Sequence, residues 1–119
     1  MGNAGRIPEV EIAVPAAWNY RLRRRLGEPE LDHCFAGWER QFTLVWPHRG
    51  DRLVVTATAP FGHCVVFVPK GKPFCAIEPV SNMNDGLNHM DTSDDHGMRI
   101  LVPGETLEGR ILMAVEPIA

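Results

Sequence analysis

The sequence predicts an all-β protein, an antiparallel β-sandwich, on three observations. Apolar residues recur with a period of two rather than 3.6. The apolar segments are short and rich in β-branched and aromatic residues. Pro, Gly, Asn and Asp separate them at close intervals. In chain order the expected strands are VEIAV (10–14), FTLVW (42–46), RLVVTATA (52–59), HCVVFV (63–68), FCAIE (74–78), MRILV (98–102) and EGRILMAV (108–115). HRGD (48–51) and PKGKP (69–73) supply turn residues between neighbours. Helical spacing is confined to one expected turn near residues 30–35. There is no internal repeat and no low-complexity tract.

With 119 residues the chain is expected to form one domain, residues 1–119, with residues 1–6 as a flexible N-terminus. Its hydrophobic fraction of 45% and charged fraction of 23% are those of globular proteins rather than of disordered chains or coiled coils. A net charge of −3 provides no general basic field, so nucleic acid is not an expected partner. The one basic cluster, RLRRRL (21–26), reads as a solvated surface beside a turn. No apolar run reaches the roughly 20 residues that span a bilayer, and the N-terminus lacks the apolar core of a secretory signal. Neither a membrane nor a lipid anchor is expected, since Arg6 occupies the position where N-myristoylation wants Ser or Thr. Three widely spaced cysteines, Cys34, Cys64 and Cys75, suit reduced thiols and a cytoplasmic location better than a disulfide framework.

Most chemical motifs fail on spacing. His33-Cys34 and His63-Cys64 offer zinc donors, but adjacent residues on a strand point to opposite faces and no ligand spacing recurs, so no metal is expected. DTSDDHG (91–97) is acidic without an EF-hand's spacing. Neither Ser81 nor Ser93 lies in Gly-x-Ser-x-Gly. The remaining candidates are carboxylates set among apolar residues. Asp32, in LDHCFAGW, follows Leu31 and precedes Phe35 and Trp38. Glu78, in FCAIEP, shares a strand face with Phe74 and Ala76 and is followed by Pro79 and the amide-rich SNMNDGLN. A carboxylate there must be hydrogen-bonded or solvated in a cleft, because burying an unpaired charge is costly.

LDHCFAGW, FGHCVVFVPKGKPFCAIEPVSNMNDGLN and ILVPGETLEGRI, in this order, closely resemble the C-terminal portion of aldose 1-epimerases, the galactose mutarotase family, from about Ile7 onward. The resemblance implies the C-terminal part of a large antiparallel β-sandwich, the supersandwich of that family. It implies an isomerase that interconverts the α and β anomers of a free hexose, needing neither a metal nor an organic cofactor. It implies Glu78 as the catalytic base, Asp32 as a ligand of sugar hydroxyls, Asn88 as a supporting contact in the site loop, and Glu105 as a turn residue. Where some members carry a glutamine contact in the strand that is HCVVFV here, this chain offers Cys64 or its neighbours, so sugar preference does not carry over.

Mutarotation takes a proton from the C1 hydroxyl while one is delivered to the ring oxygen, and the ring opens to an aldehyde. After rotation about C1–C2 it closes on the other face. This asks for a base and an acid on opposite sides of one small substrate. The family's acid is a histidine from the upstream half of the sandwich, and His33, His48, His63, His89 and His96 match none of its positions. The expected isolated chain is therefore a sugar-binding sandwich of feeble or no activity. The alternatives are a non-catalytic carbohydrate-binding module and an inert remnant. Unpaired sheet edges would invite homo-oligomers.

Overall fold

The computed structural model describes Val14 and residues 19–21, 23–26, 30–83 and 96–118. Among the described residues it is all-β: six strands form two antiparallel three-stranded sheets in a sandwich-like arrangement. The strands are β1 (Leu31–Ala36), β2 (Gln41–Trp46), β3 (Asp51–Ala57), β4 (His63–Val68), β5 (Ala76–Val80) and β6 (Ile111–Pro117). Sheet A has the order β1-β4-β5 and sheet B the order β2-β3-β6.

The two hairpins, β2–β3 and β4–β5, are where the sequence expects them. In the first, the amides of Arg49 and Gly50 donate to the Trp46 carbonyl at 3.1 and 3.0 Å, and Gly50 takes a left-handed φ of 72°. Such a backbone suits a residue without Cβ, which is why Gly follows His48-Arg49 there. In the second, the PKGKP turn sets Val65 opposite Glu78 and His63 opposite Val80.

Four expectations are corrected. Residues 31–36 form a strand rather than a helical turn: Leu31, His33 and Phe35 alternate with Asp32, Cys34 and Ala36, and all six pair with β4. That partner lies far along the chain, and pairing outweighs the weak local helical signal. The strand expected at 74–78 lies at Ala76–Val80, so Glu78 is mid-strand and the strand runs through Pro79. β5 is a sheet edge, where a missing N–H on the open side costs no ladder bond. Residues 98–102 form no strand, because an apolar run needs a neighbouring edge as well as a pattern. The last strand starts three residues later than expected, where Arg110 exchanges hydrogen bonds with Thr58, its carbonyl accepting at 3.0 Å and its amide donating to the hydroxyl at 2.9 Å. The expected strand 10–14 lies outside the described residues apart from Val14.

Each sheet has an apolar face. In sheet A, Leu31, Cys64 and Val68 are buried and share one face, with Leu31 directly opposite Val68. In sheet B, Val55 is buried, with Phe42 and Met113 as its cross-strand neighbours. Cover fails toward β6: Met113 and Val115, on the face of Val55, remain 67% and 74% exposed. Arg52 and Glu116, directly opposed on β3 and β6, form an exposed ion pair at 2.7 Å. Exposed pairs contribute about 0.2–1 kcal/mol, too little to replace apolar cover.

Candidate functional site

Register builds the site. Directly paired residues put their side chains on one face. The rows of sheet A are therefore Asp32–Phe67–Ala76, then Cys34–Val65–Glu78, then Ala36–His63–Val80. Asp32 and Glu78 share this face, on its two edge strands and one row apart. Two strand spacings and two residues of rise put their α-carbons about 12 Å apart. Between them lie Cys34, Val65 and Phe67, with Phe74 tilted against Phe67 at 6.2 Å between centroids. The floor is apolar and its two rims are acidic.

Glu78 is exposed, so its carboxylate is solvated rather than enclosed by apolar neighbours. Asp32 is half-buried. Asn88 lies outside the described residues; the described chain resumes at His96. The Met83 amide donates to the His96 carbonyl at 2.9 Å, and the Met98 amide approaches His96 Nδ1 at 3.4 Å. Residues 83 and 96 thus lie side by side near the end of β5.

Cys64 points away from Glu78's face, into the buried face of sheet A, and is 4% exposed. It offers nothing to a ligand over Asp32 and Glu78. Burial pushes its thiol from 9.0 up to about 12; the neighbouring Cys34 thiol and the Glu78 carboxylate add to the rise, while a Glu78 backbone hydrogen bond opposes it. Burial raises the Cys75 thiol too. A folded thiol that keeps its proton above the unfolded value means that, from about pH 9 upward, the unfolded chain holds fewer protons. The contribution is fully present below pH 9 and is lost as pH climbs toward 12. We expect Cys64 to resist a thiol reagent at pH 8 while Cys34 reacts, and the urea midpoint to fall above pH 9 less steeply in Cys64→Ala. Labelling of Cys64 at the rate of Cys34, read by mass spectrometry, would contradict this.

The sequence reading missed a cleft of about 190 Å³ at the end of the same face, lined by Pro60, Gly62, His63, Ser81, Gly97 and Arg99 among others. Its signal was present in part: a hairpin closing at Gly71 and Lys72 places His63 one row beyond Glu78. The returning segment that closes the cleft had no sequence signature. His63 is 3% exposed, and of the described histidines it alone is on Glu78's face of sheet A, since His33 falls on the other. Gly97 makes the closure: at φ 78° its α-carbon is packed so tightly that an added Cβ would collide with the Ser81 carbonyl and come within 3.1 Å of His63 Cε1. Gly97→Ala should cost at least the 1–2 kcal/mol of a left-handed non-glycine residue, read as a lower urea midpoint; an unchanged midpoint would mean that this packing is absent.

Other candidate residues are structural. The Trp38 indole donates to the Phe61 carbonyl at 2.7 Å, with its ring tilted on Phe42 at 6.3 Å. Trp38 thus ties the β1–β2 connection to the β3–β4 connection. Glu105 closes the turn after Val102, accepting from the Val102 amide at 2.8 Å while its own amide donates to the Val102 carbonyl at 3.0 Å. In the basic cluster, Arg21 pairs with Glu39 at 3.4 Å, and the Arg24 guanidinium sits 4.8 Å over the Tyr20 ring. Among the described residues no three His, Cys, Asp or Glu side chains converge to hold a metal ion, and no helix is long and apolar enough to cross a membrane.

Compared with known proteins, the chain matches no family model, no curated protein and no solved structure.

Proposed function

We propose that the chain is the base-bearing, C-terminal portion of an aldose 1-epimerase-like sandwich, and that it holds a free hexose across the Asp32–Glu78 face. The observation that supports this reading is the register of sheet A, which brings the two carboxylates to one face over an apolar floor. Asp32 would accept hydrogen bonds from sugar hydroxyls. Glu78 would accept the C1 hydroxyl proton as the ring opens, and return it when the ring closes on the other face. A solvent-exposed carboxylate is reachable by substrate.

Among the described residues no histidine is placed to protonate the ring oxygen from the far side: His63 is 3% exposed and lies against Gly97. The isolated chain should therefore accelerate anomer exchange feebly or not at all. That observation favours a second reading, a carbohydrate-binding sandwich without turnover. Under either reading the uncovered apolar side chains of β6 are a surface for association with further strands or with a second copy, because an edge strand presents unpaired backbone groups. Polarimetry of freshly dissolved α-D-glucose and α-D-galactose, alongside equilibrium binding of both sugars, tests the proposal. A rate above the buffer blank that scales with protein supports catalysis, and saturable binding at the blank rate supports the second reading. If neither sugar binds nor exchanges faster, both readings fail.

A further inference from the structure

We propose that the cleft between the β3–β4 connection and the returning segment Gly97–Arg99 binds an anionic group, a phosphate or a carboxylate carried by the ligand. Among the described residues the cleft's ionisable lining consists of His63 and Arg99, and Ser81 adds a hydroxyl. Arg99 has no ion pair among the described residues, so its guanidinium is available for a bidentate contact with a planar or tetrahedral oxyanion. Gly62, with open space where a Cβ would stand, leaves the backbone bare on one side, which permits close approach of a ligand oxygen. At about 190 Å³, below the roughly 300–1,000 Å³ of pockets that enclose a whole drug-sized ligand, the cleft suits one small charged group.

Its position gives the group a purpose. His63 and Val80 form the row next to that of Val65 and Glu78, so the cleft opens at the end of the face that carries Asp32 and Glu78. A sugar lying on that face would direct a phosphate or carboxylate substituent into the cleft. Placement on a sugar rests on the proposed function; affinity of the cleft for an anion does not.

Calorimetric titration of the full chain, at constant ionic strength, with inorganic phosphate, glucuronate, glucose 6-phosphate and glucose tests this. We expect phosphate and glucuronate to bind saturably, glucose 6-phosphate to bind at least about tenfold more tightly than glucose, and Arg99→Gln to weaken every anion by about tenfold or more, as loss of a charge-assisted contact should. Ser81→Ala should weaken them less, and the thermal midpoint of each variant establishes that it is folded. The tighter of phosphate and glucuronate identifies the source of the anionic group. Absence of saturable anion binding, or binding indifferent to Arg99→Gln, overturns the inference. If glucose binds while the anions do not, the cleft assignment fails and the hexose site stands; if anions bind through Arg99 and no free sugar does, the reverse holds.

Discussion

Glu78→Gln is expected to bring anomer exchange to the buffer rate while leaving the fold intact. The amide keeps the shape and the hydrogen-bonding reach of the side chain but accepts no proton, so it removes the base and little else. General bases contribute typically 10²–10⁴-fold in a complete site. Under the proposed function the expected acceleration is far below that ceiling, because among the described residues no side chain is placed to serve the acid arm of the reaction. Glu78 is exposed on an edge strand, and surface substitutions of this kind usually change stability by less than about 0.5 kcal/mol. Loss of rate at an unchanged urea midpoint would therefore belong to chemistry. A variant that keeps the parent's protein-dependent rate would remove Glu78 from the role of base, whatever the chain's affinity for sugar.

Leu31→Ala should have the largest effect on stability. Leu31 is 0% exposed and packs on the buried face of sheet A, directly across from Val68. Removing a buried Leu side chain to Ala typically costs about 2–5 kcal/mol, from lost transfer energy plus the cavity left behind. Domains have only about 5–15 kcal/mol in total, and this one leaves Met113 and Val115 largely in water. With so few apolar side chains buried among the described residues, each contributes heavily. We expect the urea midpoint to drop by a third or more at an unchanged slope. A loss below about 1 kcal/mol would mean that Leu31 is not enclosed.

The contrast between these two residues shows what the sequence can and cannot convey. The hairpins β2–β3 and β4–β5 were legible because short-range pairing follows from alternation and turn chemistry, and the turn alone sets Val65 opposite Glu78. Strand β1 was not, since LDHCFA carries one local signal and its partner, HCVVFV, lies more than a full hairpin away. The shared face of Asp32 and Glu78 depends on that non-local pairing. Alternation predicts the face of Glu78 within its own strand but not the edge that confronts it. Resemblance to a family could suggest the pair; periodicity could not.

The extent of β5 was misread for a related reason. Proline ends most strands, yet an edge position tolerates it, and edge status is a property of the sheet. The cleft was the least legible feature. It requires Gly97 to lie against Ser81 and His63, residues distant in sequence, and glycine's freedom at one φ leaves no pattern in the surrounding residues. His63 and Cys64, adjacent in sequence, illustrate the gain from register: one helps wall the cleft, while the other is buried on the opposite face. As a zinc pair or as neighbouring ligand contacts they do not act together.

The most direct test of the hexose site is a nuclear magnetic resonance titration of the isotopically labelled chain with D-galactose and D-glucose, repeated with Asp32→Asn. The account predicts saturable shifts of amides in residues 32–34, 65–67 and 76–80, and their loss or marked weakening in the variant while its spectrum remains that of a folded chain. Shifts confined to other parts of the molecule, or an identical titration by Asp32→Asn, would contradict the claim that Asp32 and Glu78 together form a sugar site.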